Sequence, residues 1–89
     1  MKLSVIGAGY LGAVHAAAMA WQGFEVMAVD TDTEKVASLA AGRPTFFEPG
    51  FAALLAEVQA SGRLHFTADY AAVADADVHF LCVGTPQRA

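Results

Sequence analysis

The stretch Val5–Ala20, "VIGAGYLGAVHAAAMA", decides the fold of this chain. Three glycines, Gly7, Gly9 and Gly12, interrupt an apolar run at a G-x-G-x-x-G spacing, and an alanine-rich segment follows them. Short apolar residues before the glycines favour a buried strand, and the alanine-rich run favours a helix. A strand, a glycine turn and a helix in this order are typical of a loop that binds the phosphates of a dinucleotide.

Two other interpretations of this stretch are a secretion signal and a membrane anchor. Lys2, an apolar run and the small residues at Ala18–Ala20 resemble a signal peptide. However, glycines and His15 interrupt the run, and the pattern continues into a second strand that ends in an acid. A transmembrane helix needs roughly 18–20 uninterrupted apolar residues, which this sequence lacks. We therefore favour the phosphate-binding turn.

Composition limits the class of protein. The chain has 89 residues, of which 56% are apolar and 16% charged, so we expect one small globular domain. Its formal net charge of −4 argues against nucleic acid or a membrane surface as a partner, because both favour a basic face. The single cysteine, Cys82, cannot form an internal disulfide, which fits a reducing compartment, and we expect a cytoplasmic protein.

The spacing of apolar residues predicts alternating strands and helices. The predicted strands are Lys2–Ile6, Phe24–Val29, Leu64–Thr67 and Val78–Val83, and the predicted helices are Tyr10–Gln22, Glu34–Ala41, Phe51–Ser61 and a short one from Asp69 to Ala74. Thr33 and Asp69 are the expected N-caps. The first helix is apolar on nearly every side, so we expect it to lie against the sheet under other layers. This alternation predicts an α/β fold: a Rossmann-type parallel sheet with flanking helices, strand order 3-2-1-4, incomplete at about four strands.

Each glycine of the turn has its own predicted role. Gly7 permits the tight turn, Gly9 lets a pyrophosphate approach the backbone, and Gly12 lets the helix pack closely on the strand. Free N–H groups and the helix dipole at this end bind a diphosphate without a basic side chain. The alternative is a glycine-rich turn in an unrelated α/β protein. The predicted phosphate-binding residues are Gly7, Ala8, Gly9, Tyr10, Leu11 and Gly12.

Asp30, at the end of the second strand, is the predicted ribose ligand. Its carboxylate can accept hydrogen bonds from the 2′- and 3′-hydroxyls of the adenosine ribose. A 2′-phosphate about 4 Å away would be repelled by about 4 kcal/mol at an effective dielectric near 20, so NAD is favoured over NADP. Lys35 could donate to the same hydroxyls, tolerate a phosphate, or be a solvated helix residue. The alternative for Asp30 is a simple turn residue.

Gly84 and Thr85 follow the fourth strand. With the order 3-2-1-4, the strand order reverses between the first and fourth strands. In such sheets ligands bind at this point, at the carboxyl ends of the strands. We therefore predict that both residues bind the cofactor and that Thr85 faces the middle of the dinucleotide; an ordinary strand-terminating turn is the alternative.

The remaining candidates have weaker support. Cys82 lies inside an apolar strand and is expected to be a packed core thiol. Glu48 lies in a loop with two prolines and is either functional or a rigid loop residue. The histidines share no metal-binding spacing; they are His15, His65 and His79. His15 and His79 are expected to pack or to lie at the surface.

With these residues placed, the chain resembles the amino-terminal part of the UDP-glucose/GDP-mannose dehydrogenase family. The matching segments are "MKLSVIGAGYLGAVHAA", "VDTDTEKVASLAAGR", "FFEPGFAALL", "SGRLHFTADY" and "DVHFLCVGTPQ". They cover essentially the whole chain, and their combination is far more specific than any one motif. Within the family, "YLGAVHAA" and "GTPQR" favour the UDP-glucose 6-dehydrogenase branch over the GDP-mannose branch. Leu11 stands where valine is frequent.

The resemblance implies a Rossmann-type NAD domain, a central helix used in dimerisation and a carboxyl-terminal sugar-nucleotide domain. Such enzymes oxidise a sugar C6 alcohol to a carboxylate, as in UDP-glucose to UDP-glucuronate, with two NAD and a thiohemiacetal on a catalytic cysteine. The cofactor contacts that carry over are Gly7–Gly12 for the phosphates, Asp30 and Lys35 for the ribose, and Thr85.

The family's catalytic residues have no counterpart in this sequence, and Cys82 lies in the wrong place to replace the nucleophile. We therefore expect residues 1–89 to be a partial NAD-binding Rossmann domain, without the central helix and sugar-nucleotide domain, that does not oxidise a sugar nucleotide alone. One alternative is a free-standing, non-enzymatic NAD(H)-binding module. Another is a Rossmann enzyme that uses a flavin or NADP, which the Glu-Pro-Gly and Thr-Pro segments make less favourable.

Overall fold

The computed structural model of the chain describes residues 1–7, 9–44 and 49–82, and for Tyr10 it describes the backbone alone. The strands are β1 (Lys2–Ile6), β2 (Glu25–Val29), β3 (Leu64–Thr67) and β4 (Val78–Leu81). The helices are α1 (Tyr10–Trp21), α2 (Thr33–Ala40), α3 (Phe51–Ala60) and a 3₁₀ helix at Tyr70–Val73. None of the helices within these ranges is both long and apolar enough to cross a bilayer.

The four strands form one parallel sheet in the order β3-β2-β1-β4. Leu3 of β1 lies in register with Val26 of β2 on one side and with Val78 of β4 on the other. The predicted α/β class, parallel pairing and strand order are therefore confirmed. This order puts the topological switch point, where the strand order reverses, between β1 and β4.

The core lies where α1 and α3 pack on one face of the sheet. Four small residues of α1 are fully or almost fully buried there: Ala13, Ala16, Ala17 and Ala20. Their short side chains let the helix approach the strands closely. Larger residues from β1, β2, α2 and α3 fill the remaining space: Leu3, Val5, Val26, Leu39, Leu55 and Val58. Because the core needs no large side chain from α1, the helix can place its bulky residues elsewhere.

The prediction that α1 lies under other layers is wrong for its two largest described apolar side chains. Leu11 is 72% exposed and Trp21 is 61% exposed. Neither belongs to the alanine stripe that packs on the sheet. Because α1 is apolar on nearly every side, its composition does not indicate which side packs on the sheet, and within the described residues these two side chains stay largely uncovered.

The N-cap of α2 also differs from the prediction. Thr33 is the first residue of the helix, and Asp32 is the cap: its carboxylate accepts hydrogen bonds from the N–H groups of Glu34 and Lys35, both at 3.1 Å. Asp and Thr are both good N-caps. Asp32 takes the role because its backbone is extended and directly precedes the helix. The predicted cap Asp69 is confirmed, with its side chain accepting from the N–H of Ala71.

Candidate cofactor site

The turn between β1 and α1 begins at Gly7. This residue is buried, and its φ of 101° lies in a region that side chains other than glycine's rarely tolerate. Its N–H donates to the carbonyl of Val29 at 2.8 Å, which ties the turn to the end of β2. The chain therefore leaves β1 sharply and stays against the neighbouring strand.

Gly12 is required by packing. A Cβ at this position would lie 1.8 Å from the carbonyl oxygen of Gly7 and 3.3 Å from the Cβ of Cys82. Backbone cannot yield to such a contact without moving the turn. The first turn of α1 consequently rests directly on the end of β1 because residue 12 has no side chain.

Gly9 lies in a different environment. Its φ of −71° suits any residue, and a Cβ built on it would meet no described atom within 4 Å. Nothing in the described packing therefore demands glycine here. A side chain would instead project into the open space in front of the turn.

The start of α1 keeps its N–H groups available. Gly9 is the N-cap and supplies no side-chain hydrogen bond, and the first turn contains no acidic residue. The first N–H groups of a helix lack intrahelical acceptors and lie at the positive end of its dipole. This end of α1 is therefore suited to an anion such as a diphosphate.

Asp30 lies beside this turn, because it directly follows Val29, the residue that accepts the hydrogen bond from Gly7. The N–H of Asp30 donates to the carbonyl of Thr67 at 3.1 Å, which anchors it to β3. One carboxylate oxygen accepts from the N–H of Asp32 at 2.9 Å. The carboxylate is thus held at the carboxyl end of β2, one strand away from the glycine turn.

Lys35 faces the same carboxylate from the first turn of α2. Its Nζ lies 3.5 Å from Oδ2 of Asp30, and the two side chains are 29% and 15% exposed. The Asp-x-Asp-x-x-Lys pattern therefore has three parts: Asp30 lies at the carboxyl end of β2, Asp32 caps α2, and Lys35 pairs with Asp30. The cap role of Asp32 was not predicted from the sequence, because the adjacent Thr33 is also a suitable N-cap.

The other candidate residues separate into two groups. Ala8, Glu48, Gly84 and Thr85 lie outside the described residues. Cys82 is half-buried and packs against the core, which confirms the expected packed thiol.

His15 and His79 lie in packed and surface positions, as expected. The ring of His15 packs edge-on against Phe80 at 4.8 Å between centroids. His79 is exposed and hydrogen-bonds to the buried hydroxyl of Ser4, and His65 is exposed beside the carbonyl of Gly62. Among the described residues, no group of three histidine, cysteine or acidic side chains could hold a metal ion.

Comparison with known proteins decides the family. The profile of the UDP-glucose/GDP-mannose dehydrogenase family, NAD binding domain, matches residues 1–89. The chain belongs to this family. Its cofactor is accordingly NAD, as the resemblance implied.

Curated relatives come from both branches of the family. A UDP-glucose 6-dehydrogenase of Rhizobium meliloti is 48% identical over 89 residues, and a GDP-mannose 6-dehydrogenase of Pseudomonas aeruginosa is 43% identical over 89 residues. Each alignment covers 99% of this chain but 20% of the relative. The chain thus spans about a fifth of the length of the curated relatives it matches.

Solved structures agree with the fold. A ternary complex of GDP-mannose dehydrogenase from Pseudomonas aeruginosa matches with a TM-score of 0.93 at 43% identity, covering 99% of this chain and 20% of that one. A UDP-glucose dehydrogenase from Pyrobaculum islandicum matches with a TM-score of 0.92, also at 43% identity, covering 98% of this chain and 20% of that one.

Proposed function

We propose that residues 1–89 hold the diphosphate and the adenosine ribose of NAD in a UDP-glucose 6-dehydrogenase. The observation that carries this proposal is the contrast at Gly9. No described atom needs glycine at that position, yet the residue faces open space beside free N–H groups. A ligand that approaches the backbone accounts for the missing side chain.

In this proposal the first turn of α1 binds the paired phosphates. The N–H groups at its start donate to phosphate oxygens, and the helix dipole contributes about half a positive charge at the same place. Leu11 is exposed on the same turn and contacts the cofactor beside the phosphates. Backbone N–H groups and the helix dipole therefore supply most of the attraction for the diphosphate, which suits a chain whose net charge is −4.

Asp30 supplies selectivity for the ribose. Its carboxylate accepts hydrogen bonds from the two ribose hydroxyls, and Lys35 holds that carboxylate in place while donating to the same sugar. A 2′-phosphate would meet the negative charge of Asp30, so NADP binds less well than NAD. Ala8, Tyr10, Gly84 and Thr85 complete the proposed set of cofactor contacts.

The whole enzyme would oxidise the C6 alcohol of UDP-glucose to a carboxylate with two NAD, as a cytoplasmic oligomer. Support for the UDP-glucose branch is the 48% identity to the relative named UDP-glucose 6-dehydrogenase. NAD supplies the hydride acceptor; the residues of this chain bind and orient it. The catalytic cysteine and the sugar-nucleotide domain belong to the rest of such an enzyme, so this chain alone is expected to show no turnover.

The GDP-mannose branch is the second candidate, because a relative named GDP-mannose 6-dehydrogenase is 43% identical over the same 89 residues. A free-standing NAD(H)-binding module is less favoured, since β4 exposes Leu81 and Val78 at the edge of the sheet. Exposed apolar edge strands favour aggregation. A monodisperse chain with sharp two-state melting would instead support the free-standing module.

Isothermal titration of the chain with NAD, NADP and ADP-ribose tests the proposal. We expect NAD and ADP-ribose to bind alike and NADP to bind more weakly. Asp30→Asn removes the charge but keeps the shape, so it should reduce the preference for NAD over NADP by about tenfold, or about 1.4 kcal/mol. Tighter binding of NADP than of NAD by the parent chain would contradict the role of Asp30.

A further inference from the structure

A second concave surface lies at the amino edge of the sheet, at the opposite ends of the strands from the glycine turn. It is formed where α1 and α3 end and β3 begins, and it has a volume of about 280 Å³. We call it the Trp21 groove; its lining residues are Ala20, Trp21, Glu57, Val58, Ser61 and Arg63.

The groove combines a buried apolar floor with an exposed aromatic wall. Ala20 and Val58 are almost fully buried, whereas Trp21 is more than half exposed. Tryptophan is strongly enriched among the residues that carry binding energy at protein interfaces, because it buries a large apolar area with few rotatable bonds. An indole at the rim of a preformed groove is therefore the kind of residue that a partner covers.

The groove also contains one acidic and one basic side chain. Glu57 and Arg63 both line the groove and are both exposed. The ion pairs among the described residues are Lys2–Asp75 and Lys35–Asp30, so neither Glu57 nor Arg63 has a charged partner there. In a twofold interface residue i of one copy contacts residue j of the other, so an acid and a base in one groove can each pair with the opposite charge of a second copy.

The backbone that carries these charges is well fixed. The hydroxyl of Ser61 donates to the carbonyl of Val58 at 2.6 Å and accepts from the N–H of Arg63 at 3.3 Å. The carbonyl of Arg63 accepts from the N–H of Val26 at 2.7 Å. Two copies could therefore meet without ordering a flexible segment, which lowers the entropic cost of association.

We propose that the Trp21 groove is an interface between two copies of this chain. Across a twofold axis, Glu57 faces Arg63 of the partner subunit, Arg63 faces Glu57 of the partner subunit, and the two indoles cover each other's apolar floor. One partner of this kind satisfies both charges at once. The surface is small, so association is weak, with a Kd of roughly 10 µM to 1 mM.

Sedimentation of the full 89-residue chain over a range of concentrations tests this. The parent should dimerise reversibly, and both Glu57→Arg and Arg63→Glu should weaken self-association at least about tenfold, because each places like charges across the axis. An equimolar mixture of the two single variants should form a heterodimer, and the double variant E57R/R63E should self-associate again. Arg43→Glu is the matched control, since Arg43 is exposed and does not line the groove.

The mixture separates the interface from misfolding, because two misfolded variants would not regain a defined dimer together. A parent chain that stays monomeric up to about 1 mM would overturn the proposal. So would single variants that dimerise like the parent, or a mixture that stays monomeric. NAD affinity should be the same in every variant, because the cofactor site lies at the other end of the strands; failure of NAD binding would thus count against the proposed function and not against this interface.

Discussion

Gly9 and Gly12 lie three residues apart in one turn, yet the molecule needs them for different reasons. At Gly12 a single added carbon would lie 1.8 Å from the carbonyl of Gly7, so the fold itself excludes a side chain. At Gly9 the same carbon would meet no described atom within 4 Å. We infer that packing of the turn requires glycine at position 12, whereas at position 9 a bound ligand explains the missing side chain.

The largest expected effect is that of Gly12→Ala. Its Cβ must displace backbone, not a flexible side chain, so we expect a loss of at least about 3 kcal/mol of unfolding free energy. For a domain whose whole stability is about 5–15 kcal/mol, that loss leaves a strongly destabilised chain. Urea denaturation followed by circular dichroism measures it. A G12A chain with the parent's midpoint would refute the packing role of Gly12.

Gly9→Ala should give the converse result. The fold has space for the methyl group, so stability should change by less than about 1 kcal/mol. NAD affinity should fall at least about tenfold, because the methyl group occupies the space beside the phosphates. Calorimetric titration and denaturation on the same preparation separate the two effects. If G9A bound NAD as tightly as the parent, a ligand close to the backbone would not be the reason for glycine at position 9.

Asp32→Ala probes a residue that supports the site without belonging to it. The substitution removes the acceptor for the N–H groups of Glu34 and Lys35 at the start of α2. We expect a loss of about 0.5–2 kcal/mol of stability, measured by denaturation. Asp32→Asn keeps an acceptor oxygen and is the matched control. If D32A and D32N were equally destabilised, the hydrogen bonds would not be the reason.

The smallest expected effect is at the opposite, amino edge of the sheet, where Lys2 joins β1 to the segment before β4. Its Nζ lies 2.9 Å from Asp75, and this hydrogen bond lowers the pKa of Asp75 below 3.8 and raises the pKa of Lys2 above 10.5. The stabilisation by Asp75 is therefore present above pH 3.8 and is lost as the pH falls through its lowered pKa. The contribution of Lys2 is present below pH 10.5 and is lost as the pH rises through its raised pKa.

Denaturation of the parent and of Asp75→Asn at several pH values measures this contribution. The difference between them should be small and constant near neutral pH, and it should vanish in acid. In a Lys2→Met background, Asp75→Asn should have no pH-dependent effect, since the partner is gone. If the parent and Asp75→Asn still differed in stability after Asp75 is protonated, the charge of Asp75 would not be the cause of that difference.

Much of the fold could be predicted because local and long-range signals agree. The β-branched strand before Gly7, the alanine-rich helix after it and Asp30 at the end of the next strand all indicate one parallel α/β arrangement, and the strand order follows from it. The same pattern predicts that Asp30 lies beside the turn, where the hydrogen bond from Gly7 to Val29 places it.

Other features depend on contacts that a linear pattern does not contain. The side-chain amide of Gln59 donates to the carbonyls of Leu39 and Ala40 and so caps the end of α2 from α3, twenty residues away. The exposure of Trp21 depends on which face of α1 the sheet covers, and an all-apolar helix gives no signal for that choice. Thr33 and Asp32 are adjacent residues of similar capping strength, so the sequence does not separate them.

The most direct test of the site is NMR of the amide groups during titration with NAD. We expect the N–H signals of Gly9 to Gly12 to move most, together with those around Asp30, because these residues bind the phosphates and ribose. The signals around Trp21 and Arg63 should stay in place. If NAD shifted the amide signals at the amino edge of the sheet and left those of Gly9 to Gly12 unchanged, the start of α1 would not be the phosphate-binding site.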